Sequence, residues 1–163
     1  MALDRLACAG FKVENPAITT RQYLRFAGTD SQRASDLQNI ATGAIKAPKL
    51  LLGVRGGYGA MRLLPMVDWS TLGRIMKERA TILAGFSDVT AIQCALLAKG
   101  GMSSLAAPML YSEFGKIKPD QVSCRQFVKA LTNPNLAINI ADASLTSPNL
   151  PSILINSEPK TIT

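Results

Sequence analysis

Residues 50–59 read Leu-Leu-Leu-Gly-Val-Arg-Gly-Gly-Tyr-Gly, an apolar run followed at once by a glycine-rich segment. The unbroken apolar run from Leu50 to Val54 is typical of a parallel strand buried on both faces. The glycines of residues 55–59 would let the backbone approach a ligand closely and turn N–H groups towards an anion. Their spacing is neither that of the dinucleotide motif G-x-G-x-x-G nor that of a Walker loop. A ligand-binding loop and a plain tight turn both remain open.

A second strand-to-helix junction follows further along the chain. Residues 81–84 form another short apolar run, residues 85–88 read Gly-Phe-Ser-Asp, and a helical pattern covers residues 89–98. A serine at such a turn is exposed at the helix N-terminus, where backbone amides stabilise negative charge. The hydrolase motif G-x-S-x-G is only half present, because Val89 stands where its second glycine would be. The alternative is that Ser87 or Asp88 caps the helix.

The alternation of strands and helices predicts the fold class. Helical patterns surround the two strands, and a further helix is expected near residues 121–131. Such alternation is typical of an α/β protein with a doubly wound, mainly parallel sheet. Both motifs follow strands, so we expect them together at the carboxyl edge of that sheet, where α/β folds place their sites.

Domain organisation is predicted from a change in composition near residue 133. We assign residues 1–133 to the α/β domain. Residues 134–163 read as an extended strand and then a linker, because the last twenty residues are rich in Ser, Thr and Asn and hold three prolines, at positions 148, 151 and 159. This linker would lead to a C-terminal domain that is absent.

Composition excludes several classes of function. The 163 residues contain no histidine, which excludes an imidazole base and His-ligated zinc within them. The net charge of +7 is dispersed along the chain, so nucleic-acid binding is not favoured. Three cysteines, far apart and odd in number, favour buried free thiols in a reducing compartment. With neither a signal peptide nor a membrane-spanning run in view, we expect a cytoplasmic protein that contacts no membrane.

A series of sequence blocks stands in order and at compatible spacing up to about residue 112: Arg25–Thr29, Val54–Ala60, Arg62–Leu64, Asp68–Trp69, Gly85–Asp88, Thr90–Gln93 and Pro108–Leu110. Together these blocks resemble the LD-carboxypeptidases. Within that family the resemblance is to the muramoyltetrapeptide carboxypeptidases of bacterial cell-wall recycling. It implies a Rossmann/flavodoxin-like N-terminal domain, a serine peptidase activity without cofactor or metal, and homodimers of complete chains.

The resemblance also implies roles for individual residues. Ser87 would be the nucleophile that releases the terminal D-alanine of the murein tetrapeptide. The amides of Asp88 and Gly57 would then stabilise the oxyanion. Substrate binding is expected at three positions of the glycine-rich segment: Arg55, Gly56 and Tyr58.

Departures from the family pattern give a further expectation. The family's histidine base and its orienting glutamate belong to a C-terminal domain, and its opening strand precedes the point where this sequence begins. Ala107 also replaces a glycine of the family pattern. The sequence therefore reads as truncated at both ends and inactive alone. A microcin-immunity-type serine peptidase and a non-catalytic remnant that binds anionic peptides are the alternatives.

Overall fold

The computed structural model describes residues 1–133 and shows helices packed on a small parallel sheet. Three strands are present in this range: β1 (Leu50–Leu52), β2 (Ile82–Gly85) and β3 (Leu105–Ala106). The α-helices are α1 (Ala2–Cys8), α2 (Asp30–Ala41), α3 (Trp69–Arg79), α4 (Thr90–Gly100) and α5 (Gln121–Thr132). Short 3₁₀ segments lie at Pro16–Thr19, Ala60–Met66 and Ser87–Val89, and a π turn lies at Leu110–Phe114.

The sheet has the order β1-β2-β3, and both pairings are parallel. Leu50 pairs with Ile82, and Ala84 pairs with Leu105. Parallel neighbours require crossover connections, and α3 and α4 supply them. The predicted α/β class with a parallel sheet is confirmed.

Strand burial differs from the prediction in one respect. The central strand β2 is buried over most of its length, whereas β1 is only half-buried although its sequence is continuously apolar. Within residues 1–133, β2 has a neighbour on each side and β1 has one. The apolar run at β1 therefore predicts the strand correctly, but the prediction that this strand is buried on both faces is wrong.

The core lies where helices α2, α3 and α4 meet the sheet. Trp69, Leu72, Met76 and Leu96 are almost completely buried there. Helices α3 and α4 approach so closely that a Cβ added at Gly73 would lie 2.5 Å from the Cα of Gly100. This crossing brings the two crossover helices together near the C-terminal end of α4.

The helix starts follow from local sequence. Thr29 and Gln32 form a reciprocal capping box at α2. At α3 the Asp68 carboxylate accepts hydrogen bonds from the Thr71 N–H and from the hydroxyls of Ser70 and Thr71. These bonds, with the Thr71 amide first, lower the pKa of Asp68 from 3.8 to about 2.

Asp68→Ala is expected to lower the melting temperature at neutral pH, because α3 loses its cap. Since the folded-state pKa is lowered, the Asp68 contribution is complete above its ordinary pKa near 3.8 and disappears as the pH falls through about 2. Thermal melts of both proteins from pH 2 to pH 7 measure this. A melting-temperature difference that does not narrow towards pH 2 would contradict it.

The remaining sequence predictions have mixed outcomes. The cysteines of residues 1–133 are free, as expected, but Cys8 and Cys94 are exposed rather than buried. Cys94 is exposed because α4 buries its Gln93 and Leu96 instead. No helix of the described range has the length and apolarity to span a bilayer. The strand and linker predicted for residues 134–163 lie outside the described residues, so the domain boundary stays a prediction.

Candidate active site

Two loops meet at the carboxyl edge of the sheet, as the sequence predicts. The glycine-rich loop (residues 55–59) follows β1, and the serine turn (residues 86–88) follows β2. Hydrogen bonds hold the strand ends in register: the Gly53 N–H donates to the Ala84 carbonyl over 2.9 Å, and the Ala107 N–H donates to the Gly85 carbonyl over 3.1 Å. Both loops therefore start from one rigid base.

Ser87 occupies a strained position at the start of the helical segment that leads into α4. Its φ is +59°, in the left-handed region that side chains other than glycine rarely adopt. The residue is exposed, and no group within residues 1–133 is hydrogen-bonded to its hydroxyl. Strain of this kind, retained in a well-packed fold, is concentrated at functional sites.

The capping alternative for this turn is wrong. Neither Ser87 nor Asp88 makes a side-chain capping bond to the 3₁₀ segment or to α4. The Asp88 carboxylate points across to the other loop instead, where its Oδ2 accepts a hydrogen bond from the Ala60 N–H over 2.9 Å. The serine hydroxyl is thus left available for a ligand.

Gly56 is the point at which the two loops touch. A Cβ built on Gly56 would lie 2.9 Å from Ser87 Oγ and 3.0 Å from Ser87 Cβ. Because real Cβ atoms essentially never come so near, only glycine lets the serine sit this close to the loop. Gly57, the next residue, has a φ of +123°, which glycine adopts without strain.

A pocket of about 240 Å³ opens beside the glycine-rich loop. Leu51, Leu83 and Ile92 lie at its apolar base. Ser87 is not among its lining residues and borders it through Gly56. The five other residues that the sequence singles out all line it: Arg55, Gly56, Gly57, Tyr58 and Asp88.

An aromatic and cationic rim, which the sequence analysis did not assign, borders the same pocket. The Arg33 guanidinium lies 4.6 Å from the centre of the Phe26 ring, and Arg25 lies 6.0 Å from the ring centres of both Phe26 and Tyr58. Arg33 also forms an ion pair with Asp30 over 2.5 Å. The block Arg25–Thr29 supplies Arg25 and Phe26 of this rim, but its distance from the loop along the sequence gives no signal of contact.

The electrostatics of the rim favour an anionic ligand. Arg21 is neutralised by a bidentate pair with Asp36, and hydrogen bonding to that carboxylate raises the pKa of Arg21. Arg25 and Arg55, in contrast, have no acidic partner within residues 1–133. Two exposed guanidinium groups are therefore available to a carboxylate or phosphate near the loop.

The arrangement has two of the parts that nucleophilic acyl transfer uses. An exposed hydroxyl lies on a strained strand-to-helix turn, and a glycine-rich backbone lies against it. Within the described range, no group of three or more acidic, Cys or His side chains converges.

The profile of the LD-carboxypeptidase N-terminal domain matches residues 1–107, about two thirds of the sequence. The chain belongs to the LD-carboxypeptidase family. Among its relatives, the murein tetrapeptide carboxypeptidase of Pseudomonas aeruginosa is 35% identical over 101 residues, which are 53% of this chain and 31% of that protein. The microcin C7 self-immunity protein MccF of Escherichia coli is 26% identical over 132 residues, 79% of this chain and 36% of MccF.

Solved structures of the LD-carboxypeptidase family have the same fold. The muramoyltetrapeptide carboxypeptidase from Oxalobacter formigenes aligns with a TM-score of 0.72 and 29% identity over 85% of this chain and 44% of that one. MccF aligns with the same TM-score at 24% identity, over 85% of this chain and 40% of that one. This LD-carboxypeptidase chain spans between 25% and 36% of the length of its curated relatives.

Proposed function

We propose that this chain is the nucleophile-bearing part of a serine LD-carboxypeptidase that releases the terminal D-alanine of the murein tetrapeptide. The observation that carries the proposal is the environment of Ser87. Its backbone is strained, the residue is exposed, its hydroxyl has no hydrogen-bond partner within residues 1–133, and Gly56 lies against it. The murein tetrapeptide carboxypeptidase among its relatives supports the choice of substrate.

The proposed reaction begins with attack of Ser87 Oγ on the carbonyl carbon before the D-alanine. The carbonyl oxygen becomes an oxyanion, for which we propose the backbone N–H groups of Asp88 and Gly57 as donors. Donors held in place by the protein stabilise such an anion by about 3 kcal/mol each. Collapse of the intermediate breaks the C–N bond, the D-alanine amine takes a proton and leaves, and water then hydrolyses the acyl-enzyme.

Substrate recognition would use the cationic and aromatic groups around the loop. The D-alanine residue ends in a carboxylate, and the peptide carries further carboxylates. Arg55 lies beside the loop, Gly56 leaves room for the peptide, and exposed Tyr58 offers a ring surface. The unpaired charge of Arg55 supports this assignment.

The proton that Ser87 loses needs a base that these residues do not supply. The sequence contains no histidine, and we propose that a histidine oriented by a glutamate in another part of the complete enzyme does this work. Loss of triad members lowers turnover by roughly 10⁴- to 10⁶-fold. The alternative of a non-catalytic anionic-peptide binder predicts binding by this chain as well, so turnover and binding are tested separately.

Purified residues 1–163 are expected to release D-alanine from the tetrapeptide roughly 10⁴- to 10⁶-fold more slowly than an LD-carboxypeptidase with a complete triad, because the base is missing. A coupled D-amino-acid oxidase assay measures the release. Rapid D-alanine release that is lost in Ser87→Ala would contradict this expectation by showing that another group acts as the base.

Arg55→Ala is expected to weaken tetrapeptide binding about 10-fold, since a charged hydrogen bond to the peptide carboxylate is lost. Isothermal titration calorimetry of the chain with the tetrapeptide measures it. The control is Arg74→Ala, an exposed arginine of α3 that pairs with Glu78. An equal affinity for both variants, or tighter binding of a peptidyl nucleotide than of the tetrapeptide, would count against the proposed substrate.

A further inference from the structure

We infer that the carboxylate of Asp88 is a positioning residue that locks the glycine-rich loop to the serine turn. The inference rests on the proposed function, in which the Asp88 backbone N–H serves as an oxyanion donor. The inference concerns the side chain of Asp88 rather than its backbone N–H. The side chain reaches away from the helix that follows and binds the backbone of the opposite loop.

The need for such a lock follows from where the two donors lie. One proposed amide belongs to Gly57, in the loop after β1, and the other belongs to Asp88, in the turn after β2. An oxyanion site works only when both donors are held within a few tenths of an ångström of the productive geometry. The two loops leave different strands, so a hydrogen bond between the loops themselves is needed to hold the two donors at a fixed separation.

The hydrogen bond from the Ala60 N–H to Asp88 Oδ2 supplies that bond. Its length of 2.9 Å is ordinary for an ionised acceptor, and bonds of this kind are roughly twice as strong as neutral ones. Ala60 is buried and directly follows the loop at the first residue of its 3₁₀ segment. The carboxylate therefore holds the C-terminal end of the glycine-rich loop.

Gly56 and Asp88 act on the loop from opposite ends. At Gly56 the absence of a side chain lets Ser87 come near, which permits the approach without holding it. At Ala60 the hydrogen bond to Asp88 holds the loop without crowding the serine. Gly57 lies between these two points, so the bond at Ala60 limits how far its amide can move from the turn.

Charged neighbours do not compete for this carboxylate. Arg33 and Arg62 pair with Asp30, and the Arg55 Nε donates to the Gly56 carbonyl. Arg25 has no acidic partner within residues 1–133 and lies over the rings of Phe26 and Tyr58. The Asp88 carboxylate has no ion pair within residues 1–133, and in that range it binds the backbone amide of Ala60. Its role is therefore geometric.

The test uses residues 1–163 with a peptide boronic acid in which boron replaces the scissile carbonyl carbon. Ser87 Oγ adds to boron, the hydroxyl proton passes to solvent, and the trigonal boronic acid becomes a tetrahedral boronate anion whose oxygen occupies the oxyanion position. Asp88→Ala keeps the backbone donor and removes the lock. We expect a loss of at least 10-fold in boronate affinity, with tetrapeptide affinity changed less than 2-fold.

Three further measurements distinguish a positioning role of Asp88 from a general loss of structure. Amide exchange at Ala60 should accelerate in Asp88→Ala, and Asp88→Asn, which keeps an acceptor oxygen, should recover most of the boronate affinity. The control Asp68→Ala removes another carboxylate that accepts a bond from a backbone amide, at the start of α3 and outside the pocket lining, and should leave boronate affinity unchanged. Equal loss of boronate and tetrapeptide affinity in Asp88→Ala would overturn the positioning role.

The outcomes also distinguish this inference from the proposed function. If the unaltered chain forms no boronate adduct, the proposed function fails. If it forms the adduct and Asp88→Ala binds the boronic acid as tightly, the positioning role alone fails. If Asp88→Ala loses affinity for the boronic acid but not for the tetrapeptide, and Asp88→Asn recovers that affinity, the positioning role of Asp88 is supported.

Discussion

Gly56→Ala is expected to reduce formation of the Ser87 boronate adduct by more than 100-fold. The new methyl carbon would lie 2.9 Å from Ser87 Oγ and 3.0 Å from Ser87 Cβ. Rotation of the serine side chain can relieve the first contact, but it leaves Cβ in place, so the backbone of one loop must move. Such a shift separates the nucleophile from the glycine-rich amides, and an ångström of misplacement costs about 10²-fold.

The measurement is a titration of the peptide boronic acid against each variant, followed by ¹¹B NMR. Gly43→Ala is the control, because a Cβ at Gly43 meets nothing within 4 Å. Its φ of +77° costs some stability, but the site is not altered. An adduct of unchanged affinity in Gly56→Ala would show that the two loops do not have to touch.

Among glycine-to-alanine substitutions within residues 1–133, Gly73→Ala is expected to cause the largest loss of stability. The added carbon would lie 2.5 Å from Gly100 Cα and 2.6 Å from the Gly100 carbonyl oxygen, and both are backbone atoms. Helices α3 and α4 would have to move apart, which disrupts the core around Leu72 and Leu96. We expect a loss of about 3 kcal/mol or more, a large part of a domain's total stability.

Urea unfolding followed by circular dichroism measures this loss. The control is Ser35→Ala on the exposed side of α2, which should change the free energy of unfolding by less than about 0.5 kcal/mol. Alanine for glycine inside an unconstrained helix would raise stability by up to about 1 kcal/mol. A Gly73→Ala protein as stable as the parent, or more stable, would therefore refute the close crossing.

The sequence predicts the elements that depend on local pattern. The apolar run at β1, the helix before residue 100 and the two motif-bearing loops were all recoverable, because strand and helix periodicities are local. The placement of both loops at one edge follows from the rule that parallel strands end on the same side. The β1 run alone did not reveal that the strand is half-buried, since burial depends on how many neighbours it has.

Contacts between residues that are far apart in the sequence could not be predicted from local pattern. The bond between Ala60 and Asp88 joins residues 28 positions apart, and the local sequence at this turn offered only a helix cap as a role for the Asp88 side chain. The approach of Gly73 to Gly100 depends on the angle at which two helices cross. The rim formed by Phe26 and Arg33 also lies far along the chain from the loop it borders.

The central proposal is that Ser87 is the nucleophile beside the glycine-rich loop. The most direct measurement is ¹¹B NMR, with intact-protein mass spectrometry, of residues 1–163 and of Ser87→Ala in the presence of the peptide boronic acid. We predict a tetrahedral boron signal and a one-to-one adduct in the first protein and neither in the second. The same adduct in Ser87→Ala, or no adduct in either protein, would contradict it.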